Sequence, residues 1–167
     1  METYKVINGF EGYSVSDHGN VKNNKTGRIK NVNANEEGYI RVSLYISKTK
    51  YMKQVHVLVA DAFLENHDGK PFVDHINNDR SNNNISNLRW ATSIENNRNA
   101  IVRKDNKSGV KGVHFDKHAN KYKSQITIDG IKIHLGYFTK IEDATQARIT
   151  RANQAFGVFT NSCEKII

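Results

Sequence analysis

The stretch that decides the fold runs from residue 72 to residue 99 and reads FVDHINNDRSNNNISNLRWATSIENNRN. Residues 72–75 are a short, mostly apolar run that ends in Asp-His, which predicts a strand. An Asn-rich loop follows, and residues 87–90 predict a second short strand. A helix is predicted next, because Thr92 or the following serine can cap it and Glu95 stands close to the capping-box position. The stretch therefore predicts a strand, a loop, a strand and a helix in succession.

Three side chains of this stretch have complementary chemistry. Asp74 offers a charged oxygen and Asn96 a neutral one, and a hard divalent ion such as Mg²⁺ prefers oxygen ligands with positions left open for phosphate. His75, with an ordinary pKa near 6.5, can take a proton from water near neutral pH. Neighbouring strand residues face opposite sides, so Asp74 and His75 reach one site only at a strand end or a twist. Because Asn and Asp also favour turns, the residues alone fit a plain polar loop equally well.

Three short segments closely resemble the HNH nuclease motif of phage and intron-encoded homing endonucleases: DHIN at residues 74–77, NLRWAT at residues 87–92 and ENNRN at residues 95–99. The resemblance implies a ββα-metal finger that cleaves DNA with one divalent ion, Mg²⁺ or Mn²⁺. It implies His75 as the general base, Asp74 and Asn96 as metal ligands, and Asn87 as the residue that holds the loop orienting the base. Many members of the family have His where this chain has Asn96.

The residues around the finger add a helix, a strand and candidate DNA contacts. Residues 55–63 place apolar side chains at helical spacing, which predicts an amphipathic helix with His56 as a packing or capping residue near its start. The helix resembles the one that precedes the finger in this family. Residues 9–21, GFEGYSVSDHGNV, resemble the modular DNA-contacting motif that commonly precedes the nuclease core. Arg41, on the polar face of a predicted strand, and Arg80, in the loop of the finger, are candidate DNA contacts.

The C-terminal residues predict three strands and a helix between residues 108 and 157. Polar side chains alternate with apolar ones along two of the strands, and Asp129-Gly130 predicts the hairpin turn between them. Residues 108–113 and 134–138 resemble the ethylene-response-factor-type, or Apetala-type, DNA-binding domain. The candidate DNA contacts are Lys111, His114, Lys121, Lys123, Gln125 and Lys132. Few Arg residues lie on these strands, so phosphate contact is expected rather than strong readout of guanine. A merely solvated face is the alternative.

The composition of the chain excludes several classes of protein. The chain has 167 residues, 25 Lys and Arg against 17 Asp and Glu, a net charge of +8 and one Cys. A single Cys excludes a disulfide framework and a multi-Cys zinc site. No apolar run of about 18 residues occurs, so we expect an intracellular protein that is neither secreted nor bound to a membrane. The positive charge indicates nucleic acid or an anionic membrane surface as the large partner.

The sequence as a whole predicts an α+β fold with an antiparallel N-terminal sheet, a central ββα-metal finger, and a C-terminal three-stranded sheet packed on one helix. The predicted domains are an N-terminal DNA-contacting β motif at residues 1–53, a nuclease core at 54–100, a linker at 101–107 and a DNA-binding domain at 108–160. We expect a monomeric endonuclease that acts on double-stranded DNA without a small-molecule cofactor. A DNA-binding regulator with a vestigial finger and an RNA-binding protein are the alternatives.

Overall fold

The computed structural model describes residues 1–102 and 106–161. Within these ranges the chain is α+β, with four antiparallel sheets and three α-helices, which confirms the predicted fold class. One compact unit spans Met1–Asn96 and a second begins at Asn97. The predicted domain boundaries stay a prediction, and residues 103–105 of the predicted linker lie outside the described residues.

The first unit begins with two three-stranded sheets. The first sheet has the order β1-β2-β3, with β1 at Tyr4–Ile7, β2 at Phe10–Ser16 and β3 at Val21–Asn23. The second sheet has the order β4-β5-β6, with β4 at Val32–Ala34, β5 at Ile40–Ile46 and β6 at Thr49–Gln54. Their inward side chains form the core with those of the helix that follows, and the most deeply buried are Val15, Val21, Val42, Leu44, Val55 and Val59.

The elements that follow β6 have the predicted order. Helix α1 spans Val55–Phe63, and the hairpin consists of β7 at Phe72–His75 and β8 at Leu88–Ala91. Helix α2 spans Ser93–Asn99 and begins with a capping box. The backbone N–H of Thr92 donates to Oε2 of Glu95 at 2.7 Å, and that of Glu95 donates to Oγ1 of Thr92 at 3.2 Å. This reciprocal pair of hydrogen bonds fixes the first turn of α2, directly after the end of β8.

The second unit is a three-stranded sheet packed on a helix. The sheet order is β11-β10-β9, with β9 at Val113–Asp116, β10 at Lys121–Ile128 and β11 at Ile131–Phe138, and helix α3 spans Ile141–Phe156. Ile126 of the sheet packs with Ala152 and Phe156 of the helix. Asp129 and Gly130 both have positive φ, 50° and 81°, as a tight two-residue hairpin turn requires. No helix in the described ranges is long and apolar enough to cross a membrane.

Candidate functional site

Asp74 and His75 stand side by side at the end of β7 and contact different partners. Both are buried, with 4% of each exposed. Asp74 lies opposite Arg89 of β8, and its Oδ2 accepts from Nε of Arg89 at 2.8 Å and lies 2.6 Å from Nη2. The His75 ring contacts the side chains of Asn83, His56 and Tyr39 instead. The carboxylate is thus ion-paired across the hairpin, whereas the imidazole packs among neutral groups.

The His75 ring is held by a hydrogen bond and by ring packing. Its Nε2 lies 3.1 Å from Oδ1 of Asn83. The His56 ring, from the first turn of α1, is centred 4.8 Å from it, and the Tyr39 ring is centred 6.0 Å away. Tyr39 is itself covered by the guanidinium of Arg80, 4.5 Å from the ring centre. Three neighbours, from three different parts of the first unit, therefore define the position of this imidazole.

Both buried histidines are neutral at neutral pH. Burial lowers the pKa of His75, while the hydrogen bond with Asn83 and the charges of Asp74 and Asp79 act in the opposite direction. Burial also lowers the pKa of His56, to about 4, and the nearby His75 adds to that effect. A neutral imidazole is the form that can accept a proton, so His75 is in the state that a general base requires.

Asn87 connects the two ends of the loop between β7 and β8. Its Oδ1 accepts from the backbone N–H of Asn77 at 3.1 Å, and its Nδ2 donates to the carbonyl of Asn82 at 2.8 Å. Its own carbonyl accepts from the backbone N–H of Ile76 at 2.8 Å. Asn82 directly precedes Asn83, so these bonds fix the loop at the residue that contacts His75. These contacts support the loop-holding role expected for Asn87, which stays a prediction.

The two predicted metal ligands have the chemistry of a hard-cation site. Asn96 is half-buried on α2, where its backbone N–H donates to the carbonyl of Thr92 at 3.0 Å. Asp74 offers a carboxylate and Asn96 an amide oxygen, both of which suit Mg²⁺ or Mn²⁺ better than a soft metal. No cluster of three or more His, Cys, Asp or Glu residues that could hold a metal occurs in the described ranges. The two oxygen donors of Asp74 and Asn96 fit a hard cation that completes its coordination with water and phosphate oxygens.

The two arginines predicted to contact DNA have different surroundings in the first unit. Arg41 lies on β5 and lines a cavity of about 650 Å³ together with Lys5, Lys53 and Asp61. Arg80 lies in the loop of the hairpin, where its Nη1 donates to the carbonyl of Glu37 at 2.6 Å and its guanidinium covers Tyr39. Arg80 thus has a packing role beside the His75 ring, in addition to any contact with a ligand.

Most of the polar residues predicted in the second unit share one face of its sheet. Residues directly opposite each other in an antiparallel sheet point to the same side. The opposed pairs are His114 with Lys123, Asp116 with Lys121, Gln125 with His134, and Thr127 with Lys132. Lys111 differs, because it precedes β9 and its Nζ donates to the carbonyl of Arg98 at 3.0 Å. Five of the six candidates are therefore arranged on strands as one surface, and Lys111 is not.

The sequence did not predict three residues at this site. Asn83 and Tyr39 contact the His75 ring, and Gly19 contacts Asn83. Asn83 is one of three consecutive Asn residues, and nothing in the sequence distinguishes it from its neighbours. Tyr39 lies far from His75 in the chain. Gly19 lies in the turn between β2 and β3, and a Cβ atom there would fall 2.8 Å from the Cβ of Asn83. The sequence around Gly19 shows only that a glycine lies in a polar turn, and such turns are common in proteins.

Comparisons with known proteins match the same parts of the chain. The family model described as HNH endonuclease matches residues 53–98, and that of the NUMOD4 motif matches residues 2–45. The DNA endonuclease I-HmuI of Bacillus phage SP01 is 37% identical over 101 residues, which are 60% of this chain and 58% of that protein. A solved structure of DNA binding and cleavage by the HNH homing endonuclease I-HmuI is 31% identical, with a TM-score of 0.54, over 79% of this chain and 76% of that one.

Two proteins of Acanthamoeba polyphaga mimivirus also match, and both are considerably longer. The uncharacterized HNH endonuclease L245 is 28% identical over 87% of this chain, and L247 is 42% identical over 57% of it. The chain covers 45% of the first and 24% of the second. It therefore spans less than half the length of these two relatives.

Proposed function

The chain belongs to the HNH endonuclease family, and we propose that it is a site-specific, sequence-tolerant DNA endonuclease of the homing type. It hydrolyses a phosphodiester of double-stranded DNA. The observation that carries the proposal is the buried, neutral His75 beside the ion-paired carboxylate of Asp74, on a hairpin that the capped helix α2 directly follows. A regulator that only binds DNA has no need of an imidazole held in this state.

The chemistry proposed for His75 is that of a general base. The imidazole takes a proton from a water molecule, and the hydroxide attacks the phosphorus. The bond to the 3′ oxygen breaks and that oxygen takes a proton from solvent water, so the products are a 5′-phosphate and a 3′-hydroxyl. Asp74 and Asn96 would hold one Mg²⁺ or Mn²⁺, which when bound supplies positive charge to the phosphate and the leaving oxygen. Asn87 acts indirectly, because it fixes the loop beside the base.

DNA binding is proposed to come from both units. In the first unit, Arg41 and Arg80 contribute, together with the motif that precedes the nuclease core. The second unit is proposed to be an ethylene-response-factor-like domain that contacts phosphates and bases through Lys111, His114, Lys121, Lys123, Gln125 and Lys132. The shared face of five of these residues supports that assignment. One catalytic centre per chain attacks one strand, so a monomer inside the cell is expected to nick DNA.

The proposed function is tested by nicking of a supercoiled plasmid that carries the genomic sequence flanking the gene. With Mg²⁺ or Mn²⁺ we expect open circles to form before linear DNA, and EDTA to abolish the reaction. His75→Ala should bind the same DNA with unchanged affinity and not cut it. The matched control is His67→Ala, since His67 is an exposed histidine of the same unit.

Two results would count against the proposal. If the wild type binds DNA but never cuts it under either ion, the chain is a DNA-binding regulator with a vestigial finger. If His75→Ala loses DNA affinity as severely as cleavage, His75 has a structural role. If the protein binds RNA more tightly than DNA in the same assay, its nucleic acid partner is RNA rather than double-stranded DNA.

A further inference from the structure

Asn83 hydrogen-bonds the His75 ring, and its own orientation is fixed. Its Nδ2 donates to the carbonyl of Ser81 at 3.2 Å, while its Oδ1 faces Nε2 of His75 at 3.1 Å. Asn83 is 6% exposed, so water does not readily replace either contact. The amide oxygen, which only accepts hydrogen bonds, is therefore the atom presented to the imidazole.

We propose that Asn83 is a positioning residue that fixes the tautomer of His75, with the proton on Nε2 and the basic lone pair on Nδ1. A neutral imidazole has one nitrogen that donates and one that accepts. With the opposite tautomer, the lone pairs of Nε2 and of the Asn83 oxygen would face each other at 3.1 Å in a buried site. The inference rests on the proposed function, because it assigns the nitrogen that takes the proton from water.

The turn between β2 and β3 holds Asn83 from the other side. The backbone N–H of Ile85 donates to the carbonyl of Asp17 at 2.8 Å, which joins the turn to the loop of the hairpin. Gly19, with φ at +88°, leaves space for Asn83, since a Cβ atom there would lie 2.8 Å from the Cβ of Asn83. Val55, at the start of α1, lies 3.5 Å from the same Cβ position. The turn, the loop and the helix therefore meet at Gly19, beside Asn83.

The turn is itself rigidly organised. The buried hydroxyl oxygen of Ser16 accepts from the backbone N–H of Asn20 at 2.9 Å and from that of His18 at 3.3 Å. The backbone N–H of Gly19 also donates to the carbonyl of Ser16 at 3.0 Å. The turn that contacts Asn83 is thus fixed by its own hydrogen bonds. The N-terminal motif accordingly supports the catalytic base, beyond any contact that it makes with DNA.

The tautomer is measured directly in the full chain labelled with ¹⁵N-histidine. At a pH at which the ring is neutral, two-bond and three-bond correlations distinguish the protonated nitrogen from the bare one. For the wild type we expect the proton on Nε2 of His75. Asn83→Ala should give a mixture of tautomers, whereas Asn83→Asp, which keeps an oxygen at this position, should retain the Nε2 proton.

Nicking by the same variants supplies the second readout. Removing a group that orients a catalytic residue costs about 10-fold to 100-fold in rate, so we expect a loss of this size in kcat for Asn83→Ala, with the Kd for DNA unchanged. Asn83→Asp should recover most of the rate at pH 8.5, where the added charge no longer keeps the ring protonated. Asn66→Ala is the matched control, because Asn66 is an exposed asparagine of the same unit whose side chain hydrogen-bonds the backbone of Lys70.

Three outcomes would overturn the assignment. The first is a wild-type spectrum with the proton on Nδ1, which needs no variant to fold. The second is an unchanged tautomer in Asn83→Ala, and the third is an unchanged kcat. If the wild type does not cut DNA at all, the proposed function fails, and the spectra of the wild type and of Asn83→Ala still decide whether Asn83 sets the tautomer.

Discussion

Gly19 and Asn83 are in such close contact that a Cβ atom at residue 19 would lie 2.8 Å from the Cβ of Asn83, nearer than such atoms approach each other in proteins. This contact joins the turn after β2 to the loop that carries the hydrogen-bond partner of His75. The N-terminal sheet and the hairpin therefore belong to one compact unit in structure. A change in the turn should reach His75, the proposed general base, through Asn83.

We expect Gly19→Ala to lower kcat for nicking by at least 10-fold, because the methyl group displaces Asn83. Gly9→Ala is the matched control, since Gly9 also has positive φ, +73°, and no atom lies within 4 Å of its Cβ position. Both changes place Ala in a left-handed backbone, which destabilises each variant by about 1–2 kcal/mol. The measurement is kcat with saturating DNA, at a temperature where both variants are folded. Equal rates for the two variants would show that the contact has no catalytic consequence.

The sequence predicted the elements that carry strong local signals. The order of β7, β8 and α2 and the capping box of Thr92 and Glu95 were predictable, because apolar runs and helix caps are local patterns. β6 was not predicted, since it is a mostly exposed edge strand in which apolar and polar residues do not alternate.

The candidate site was predictable only in part. Asp74 and His75 were selected by their chemistry and by resemblance, and they lie at the end of β7 as the strand–loop pattern implies. Asn83 and Tyr39 could not be selected, because their roles depend on which residues the fold brings to the imidazole. That choice is made by long-range packing, which no local pattern of residues encodes.

We expect Arg89→Met to destabilise the protein by about 3–5 kcal/mol, because it leaves the buried carboxylate of Asp74 without its ion-pair partner. The control is Asp129→Asn, which breaks the pair between Arg98 and a carboxylate whose side chain is 79% exposed. An exposed pair contributes about 0–1 kcal/mol, and Asn is well suited to the turn that Asp129 occupies. The free energy of unfolding in urea measures both effects. Similar losses in the two variants would contradict a special role for the pair of Asp74 and Arg89.

His56 should make the stability of the protein depend on pH. Burial holds its pKa at about 4 in the folded protein, against about 6.5 when unfolded, and the groups that face it are the rings of His75 and Tyr39. The unfolded chain binds the extra proton, so the stabilisation is complete above pH 6.5 and is lost as the pH falls towards 4. By pH 5 the loss due to His56 amounts to about 2 kcal/mol.

His56→Phe tests this dependence, because the ring fills a similar space and does not titrate. Nδ1 of His56 has no hydrogen-bond partner within the described residues, so the substitution breaks no bond at that atom. Urea unfolding at pH 7.5 and at pH 5 should show a fall in stability that is about 2 kcal/mol smaller in the variant than in the wild type. Parallel pH profiles for the two proteins would mean that another group is responsible for the acid sensitivity.

The polar face of the C-terminal sheet should determine part of the salt dependence of DNA binding. Lys121, Lys123 and Lys132 lie on β10 and β11, on the side that the strand pairing shares with His114 and Gln125. Each lysine that neutralises a phosphate adds about 0.9 to the slope of log K against log salt concentration. We therefore expect single substitutions to Ser to reduce the slope by about that amount each, and the triple variant by about the sum. Lys140 lies just before α3, and Lys140→Ser should leave the slope unchanged. If this control reduces the slope as much as the sheet variants do, the effect is due to net charge rather than to the polar face of the sheet.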